Sequence, residues 1–224
     1  MGELAARIGP NAILQLVPVL EEAAGAEVTA HVLAMAGIIA LPDPAMGLID
    51  EAPAARLHQT MRRELPSLAA QLAREAGWRT GDYILAHRIP KPVQAVLKRL
   101  PARLSAPILA KAIARHAWTF CGSGEFRLVS AWPPVFEIAD NPVVRGERSD
   151  VPLCHWHAAV FERLYTALCG PGWRAVETDC CAQGASACRF ELSRIRRGRA
   201  PADAVAPRGS APHPEVFSAR GRGR

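Results

Sequence analysis

The sequence predicts an α+β protein in which a helix-rich N-terminal part precedes a small antiparallel sheet with one packed helix. Apolar residues recur at helical spacing through the first 120 residues. After the glycines at 122 and 124, short segments typical of strands follow. Half of the 224 residues are hydrophobic, which suffices for one core. We expect a single domain over 1–193, with its core at about 120–193 and a tail over 194–224.

The N-terminal part is predicted to begin with long helical segments. The first covers 8–25, and Pro18 is expected to kink or split it. Segment 31–42 fits either a helix or a buried strand, because its periodicity does not decide. A long helix is expected over 51–76, with a kink at Pro66.

Three shorter helices are expected to follow. They are predicted at 80–89, 92–100 and 106–120. Gly77 is expected to end the long helix, and Thr80 to cap the next one. Ser105 is expected to open the last of the three.

The region after residue 124 is predicted to contain four strands and one amphipathic helix, over 155–169. The strands are predicted at 125–132, 134–140, 173–180 and 187–194. The last two are expected to form a hairpin, because Gly184 and the small residues beside it permit a tight connection.

The net charge of +6 is located in the tail. Residues 194–224 contain eight arginines against Asp203 and Glu215, so the first 193 residues sum to zero. A neutral body argues against a nucleic-acid partner. The tail is rich in Pro, Gly, Ala and Ser, which predicts disorder; contact with an acidic partner or a membrane surface stays open. We recognise no secretory signal and no transmembrane segment, and expect a cytoplasmic protein.

Residues 177–190 hold three of the chain's six cysteines, which in a reducing compartment favours metal binding over disulfides. Glu177 and Cys180 end the first strand of the hairpin, and Cys188 opens the second. Three ligands can therefore converge on one ion. Cys154 is the candidate for the fourth, because the start of a helix favours a thiolate.

Four protein ligands leave no open position, so the predicted zinc site is structural. Two alternatives stay open. His155 or His157 can replace the carboxylate as a ligand, and buried thiols also occur simply as small hydrophobic groups. Cys121 and Cys169 are interpreted as packing residues, and Cys181 is expected to face away from the site.

The pattern E-x2-C-x3-G-x3-C-x-F, preceded by a cysteine at a helix start, resembles the 4-vinyl-reductase domain family. Further resemblance, to its members in bacteriochlorophyll biosynthesis, lies in three other stretches. They are RIGPNAILQLVPVLE, AGWRTGDYILAHRIPKPVQAVLKRLP and AIARHAWTFCGSGEF. By position, the zinc ligands of the related phenol-sensing domains fall on Cys154, Glu177, Cys180 and Cys188. The resemblance also implies an α+β small-molecule-binding domain, often dimeric.

The family name implies reduction of the 4-vinyl (8-vinyl) group of a divinyl tetrapyrrole. No nucleotide-binding glycine pattern or Fe–S cysteine pattern supports that chemistry, and a closed zinc site carries no electrons. We therefore expect a protein that binds a magnesium-tetrapyrrole intermediate, with other pathway enzymes and the photosynthetic membrane as further contacts. The alternatives are a true reductase with an unrecognised electron donor, and a sensor acting through a partner protein.

Candidate pigment contacts follow from residue type. His116 is expected on the apolar face of its helix, where it can ligate magnesium or simply fill the core; His87 is a weaker candidate. Flat aromatic surfaces and peripheral cations complete the candidate set. These residues are Tyr83, Trp118, Trp132, Arg145 and Arg148.

Overall fold

The computed structural model describes residues 6–195, in which helices pack against one face of a four-stranded sheet. The helices are α1 (Asn11–Leu14), α2 (Leu16–Ala24), α3 (Ala26–Met35), α4 (Glu51–Glu64), α5 (Ala69–His87), α6 (Lys91–Arg99), α7 (Ala102–Arg115) and α8 (His155–Leu168). The strands are β1 (Arg7–Ile8), β2 (Ile49–Asp50), β3 (Glu125–Ala131), β4 (Pro134–Ala139), β5 (Trp173–Asp179) and β6 (Ala187–Arg194). The predicted α+β class is confirmed. The predicted disorder of the tail concerns residues that, after 195, lie outside the described range.

The main sheet has the strand order β3-β4-β6-β5, with every pair antiparallel. Phe136 on β4 and Phe190 on β6 are buried against Phe161 of α8, with ring centroids 4.9 and 5.4 Å away. In the register, Glu177 lies opposite Phe190. Because directly paired residues share a face, Glu177 points toward the α8 side, as does Cys188 two residues before Phe190.

α5 and α8 form the main helix pair, and their contact corrects one prediction. Gly77 and Thr80 lie inside α5, so the predicted helix end between them is wrong. A Cβ on Gly77 would overlap the carbonyl oxygen of Trp156 and would lie 2.8 Å from the Cβ of Ala159. Thr80 accepts a hydrogen bond from the indole N–H of Trp156 at 3.2 Å. The glycine therefore permits a close helix crossing.

Proline interrupts the helical part in two places. The chain between α4 and α5 breaks around Pro66, where a kink was predicted. α1 and α2 separate at Gln15, because Pro18 has no N–H to donate to the carbonyl of Leu14. Segment 31–42 is helical only as far as the end of α3.

α7 begins at Ala102 rather than after Ser105, because Pro101 precedes it as the N-cap residue and fits the start of a helix. Its apolar face also differs from the prediction. Ile108 is 50% exposed, while Leu109 is buried against the core. The core therefore takes the neighbouring row of the helix.

The short pair β1–β2 was not predicted, since two residues per strand are too few for an alternation pattern. Among residues 6–195, no helix combines the length and apolarity required to cross a bilayer.

Two buried histidines are uncharged in the folded protein. His58 lies on α4, and its Nε2–H donates to the carbonyl of Ala12 at 3.1 Å. Burial, together with the charge of Arg62, lowers the pKa of His58 to about 3. Burial also lowers the pKa of His157, on α8, to about 4.

The substitution Gly77→Ala should destabilise the protein. Alanine gains about 1 kcal/mol of helix propensity over glycine. Overlap with the Trp156 backbone outweighs that gain, so we expect a net loss of about 1–3 kcal/mol in urea unfolding. The control is Ala86→Ser, at an exposed position of the same helix, with a change below about 0.5 kcal/mol. A stabilised Gly77→Ala protein would contradict the close crossing.

Stability should depend on pH through the buried histidines. The unfolded chain binds protons at these groups below about pH 6.5, whereas the folded protein does not. The free energy of unfolding should be at its full value above pH 6.5 and should fall as the pH decreases toward 4. In His58→Gln, the slope between pH 6 and 4 should be smaller by up to about 1.4 kcal/mol per pH unit. The matched control is His31→Gln, whose side chain is 59% exposed; equal slopes in both variants would refute the assignment.

Candidate metal centre and ligand cavity

Four potential metal ligands meet where the start of α8 lies over the β5–β6 hairpin. They are Cys154, Glu177, Cys180 and Cys188, all buried, and their ligand atoms lie within 4.8 Å of one another. The Sγ of Cys188 lies 3.4 Å from the Sγ of Cys154 and 3.9 Å from that of Cys180. Sulfurs on one tetrahedral zinc ion, at about 2.3 Å each, lie roughly 3.8 Å apart. The sulfur spacing therefore fits a single ion.

Local backbone geometry brings these residues together. The register of β5 and β6 shifts between Glu177 and Asp179, at a bulge beside Cys180. Gly184 has a left-handed φ of 89°, which closes the connection back to β6. Cys154 is the N-cap residue of α8, and its backbone N–H donates to the Oε2 of Glu177 at 2.6 Å. The helix start is thereby linked directly to β5.

Polar donors surround the sulfurs. Asn141 Nδ2 donates to the Sγ of Cys154 at 3.3 Å, and the backbone N–H of Cys181 donates to the Sγ of Cys188 at 3.4 Å. Such donors stabilise thiolates. The second carboxyl oxygen of Glu177, Oε1, is buried and has no hydrogen-bond partner in the described residues. An unsatisfied buried acceptor beside three sulfurs is what a metal ligand provides before its ion is counted.

The electrostatics of the cluster also favour a cation. Burial and the neighbouring Cys180 raise the pKa of Glu177 to about 8. Burial raises the pKa of the Cys154 thiol well above its usual range. Hydrogen bonds from the Cys154 and Cys188 thiols lower the pKa of Cys180. Without a cation the cluster must retain protons, and a divalent ion can take their place.

The other cysteines and nearby histidines lie outside this group. Neither His155 nor His157 is among the grouped ligand atoms of residues 6–195. Cys121 and Cys169 are buried elsewhere in the core, as packing residues would be. Cys181 turns its Sγ toward the carbonyl of Ile138, 3.8 Å away.

A cavity of about 640 Å³ lies among α5, α6, α7 and α8. Its size falls within the roughly 300–1,000 Å³ of typical small-molecule sites. Most of its wall is apolar. The aliphatic and aromatic lining includes Ile84, Ile89, Val93, Leu97, Leu109, Ile113, Trp118, Phe120, Trp156, Val160, Phe161 and Leu164. The polar lining includes Asn11, Thr80, Arg88, His116, Thr119 and His157.

Comparison with known proteins assigns the family. Residues 134–194 match the 4-vinyl-reductase domain, a range that includes all four cluster residues except Cys154's neighbours on α8 beyond it in no case, since Cys154 itself lies within it. The chain is 57% identical over 196 residues to the "Bacteriochlorophyll synthase 23 kDa chain" of Cereibacter sphaeroides, covering 88% of this chain and 94% of that protein. The Rhodobacter capsulatus protein of the same name is 43% identical over 186 residues, covering 83% and 86%. The chain belongs to this 23 kDa chain family.

Solved structures resemble the fold of this family member at low sequence identity. An H-NOX protein from K. algicida has a TM-score of 0.57 and 11% identity, covering 85% of this chain and 98% of that chain. An H-NOX protein from S. oneidensis has a TM-score of 0.52 and 12% identity, covering 84% and 100%. At such identity the likeness concerns the fold alone.

Two of the predicted pigment contacts line the cavity. His116 follows the last residue of α7 and is exposed, so it is not on an apolar helix face as expected. Its Nδ1 lies 2.8 Å from the carbonyl oxygen of Ala112 and must donate to it. In the neutral ring, Nε2 then retains a lone pair. Trp118 lies in the following turn, lines the same cavity and is 58% exposed.

The remaining candidates lie away from the cavity wall. The Tyr83 ring packs against His87, with centroids 4.6 Å apart. Trp132 packs edge-on against Trp173 at 6.0 Å. Arg145 binds the carboxylates of Asp140 and Glu51, and Arg148 is exposed in the same loop. Residue type suggested these side chains, but the fold directs them elsewhere.

Sequence reasoning missed two polar residues of the cavity. Arg88 is exposed at its rim and lies next to the expected helix stop at Pro90, a position that signalled only a helix end. His157 lines the interior, and its Nδ1 has no hydrogen-bond partner in residues 6–195. It was considered only as a zinc ligand, because it lies close to Cys154 in the sequence.

Proposed function

We propose that this protein binds a magnesium-tetrapyrrole intermediate of bacteriochlorophyll biosynthesis, at the step of 4-vinyl (8-vinyl) reduction, and carries a structural zinc ion. The observation that carries the proposal is the 640 Å³ apolar cavity in a chain whose relatives are named as chains of bacteriochlorophyll synthase. A tetrapyrrole is a flat, largely apolar ring with carboxylate edges. Its recognition requires apolar walls and a few directed polar groups.

The polar groups at the cavity rim suit those edges and the central metal. The free Nε2 of His116 is a neutral imidazole donor of the kind that binds metals axially. Trp118 offers a flat surface for stacking. Arg88 supplies a cation for a carboxylate group. Inside the cavity, His157 offers an uncharged ring nitrogen without a partner in the described residues.

The zinc ion would be held by Cys154, Glu177, Cys180 and Cys188. It would supply a cross-link between the start of α8 and the β5–β6 hairpin. α8 also contributes Trp156, Val160 and Leu164 to the cavity wall, so the ion would stabilise the position of that wall. The relatives' names describe one chain of a synthase, which supports association with other proteins of the pathway.

Titration with divinyl protochlorophyllide should give saturable binding at one pigment per chain, measured by tryptophan quenching and pigment absorption. His116→Leu should weaken binding roughly tenfold, about 1.4 kcal/mol, and should abolish the absorption shift caused by axial ligation. The matched control is His87→Leu, since His87 lies outside the cavity lining and should leave affinity unchanged within about twofold.

The same assay separates binding from reduction. With NADPH added, the absorption of the bound pigment should stay constant if the protein only binds it. A progressive blue shift with turnover would show reduction of the vinyl group and would overturn the binding-only proposal. Equal affinities of the two histidine variants would exclude the cavity as the pigment site.

Elemental analysis of purified protein should find one zinc ion per chain. Cys188→Ala should lose the ion and reduce the free energy of unfolding by about 3–4 kcal/mol, the stabilisation expected of a ligand near a thousandfold its Kd. Cys181→Ala removes the adjacent thiol, which lies outside the cluster, and should retain the ion. Metal-free protein with the stability of the metal-loaded form would rule out a structural zinc ion.

A further inference from the structure

One continuous segment of the chain carries only positive charge. From Tyr83 to Gly124 there is no aspartate or glutamate, while seven lysines and arginines are present, including all three lysines of the protein. These cations are Arg88, Lys91, Lys98, Arg99, Arg103, Lys111 and Arg115. All seven are exposed, and none forms a salt bridge with a carboxylate of residues 6–195. Their charge is therefore directed at something outside this part of the chain.

The same segment exposes large apolar side chains. Those on α6, α7 and the following turn are Val93, Val96, Leu104, Ile108 and Trp118. On α7, Leu104, Ile108, Lys111 and Arg115 are spaced at i, i+4, i+7 and i+11, so they share one helix face. Leu109 on the opposite side is buried. The outward face of α7 thus combines two apolar and two cationic residues.

This face is continuous with the cavity rim. Arg88, Val93, His116 and Trp118 are exposed and also line the cavity. α6 contributes Val93 to the rim and Val96 to the outward surface. Whatever contacts the outer face of α6 and α7 therefore lies next to the cavity entrance.

We propose that the α6–α7 face, defined by these seven cations and five apolar side chains, docks on the surface of an anionic lipid bilayer. Lysine and arginine attract acidic headgroups, while exposed Leu, Ile, Val and Trp enter the headgroup boundary. A nucleic acid would use the cations but offers no apolar environment for Leu104 and Ile108. Docking brings the cavity entrance against the membrane, from which an apolar ligand can enter. The inference adds to the pigment-binding proposal, and its test uses no pigment.

The test is flotation of the full chain with vesicles. Vesicles of phosphatidylglycerol mixed with phosphatidylcholine should bind the protein, and binding should weaken as salt increases. Lys98→Glu/Lys111→Glu should reduce partitioning roughly tenfold or more, since each basic residue near an anionic surface contributes substantially. Arg63→Glu/Arg127→Glu makes the same change in net charge at exposed positions outside the face, and should stay within about twofold of the parent.

A second variant examines the apolar contribution. Leu104→Ser/Ile108→Ser leaves every charge in place and should reduce vesicle binding several-fold, most clearly at high salt. Binding to duplex DNA should be weak, and this variant should not change it. Equal losses in both charge-reversal variants, tight binding to DNA with no effect of the serine variant, or binding only to uncharged phosphatidylcholine would each overturn the proposal.

The lysines provide an independent readout. They are the chain's only lysines, so an amine-reactive reagent and mass spectrometry report on this face almost exclusively. Anionic vesicles should lower the modification of Lys98 and Lys111 several-fold, whereas phosphatidylcholine vesicles should not. Full reactivity of both lysines in the vesicle-bound fraction would show that another part of the chain makes the contact.

Discussion

The crowding of three thiols and one carboxyl group at a buried junction is the constraint on which the arrangement of α8 depends. Their ligand atoms lie within 4.8 Å, and burial raises the pKa of Glu177 to about 8. Such a group is stable only if protons or a cation neutralise it. The carboxylate also accepts the first backbone N–H of the α8 start, from Cys154. Because Trp156 and Val160 belong to the same helix, the state of this junction determines how firmly one wall of the cavity is positioned.

The elements that sequence could predict are those with local causes. The strands and α8 follow from alternation, helical spacing and turn glycines, and the cluster could be found because its members lie at a helix start and across one hairpin. α5 could not be predicted to run through Gly77, because the reason for that glycine is the carbonyl of Trp156, which is remote in the sequence. The register shift beside Cys180 likewise depends on pairing that periodicity does not reveal.

The cavity shows the same limit more strongly. His116 and Trp118 reach it, while Tyr83 and Trp132 have the same chemistry and pack elsewhere. A cavity among four helices is a property of their crossings, so residue type proposes candidates but does not select among them. Arg88 shows the converse, since it lies on the rim without any motif to mark it.

The neutral body of the chain conceals a separation of charge. Residues 1–193 carry no net charge and the segment 83–124 carries seven positive charges, so the rest of that body carries seven negative charges. Such a molecule has a preferred orientation in the field of a charged surface, over a range of about one Debye length, roughly 8 Å in physiological salt. Apolar side chains act only at contact, after that orientation is established. Long-range charge can therefore select which face approaches a membrane, while Leu104 and Ile108 determine whether it stays.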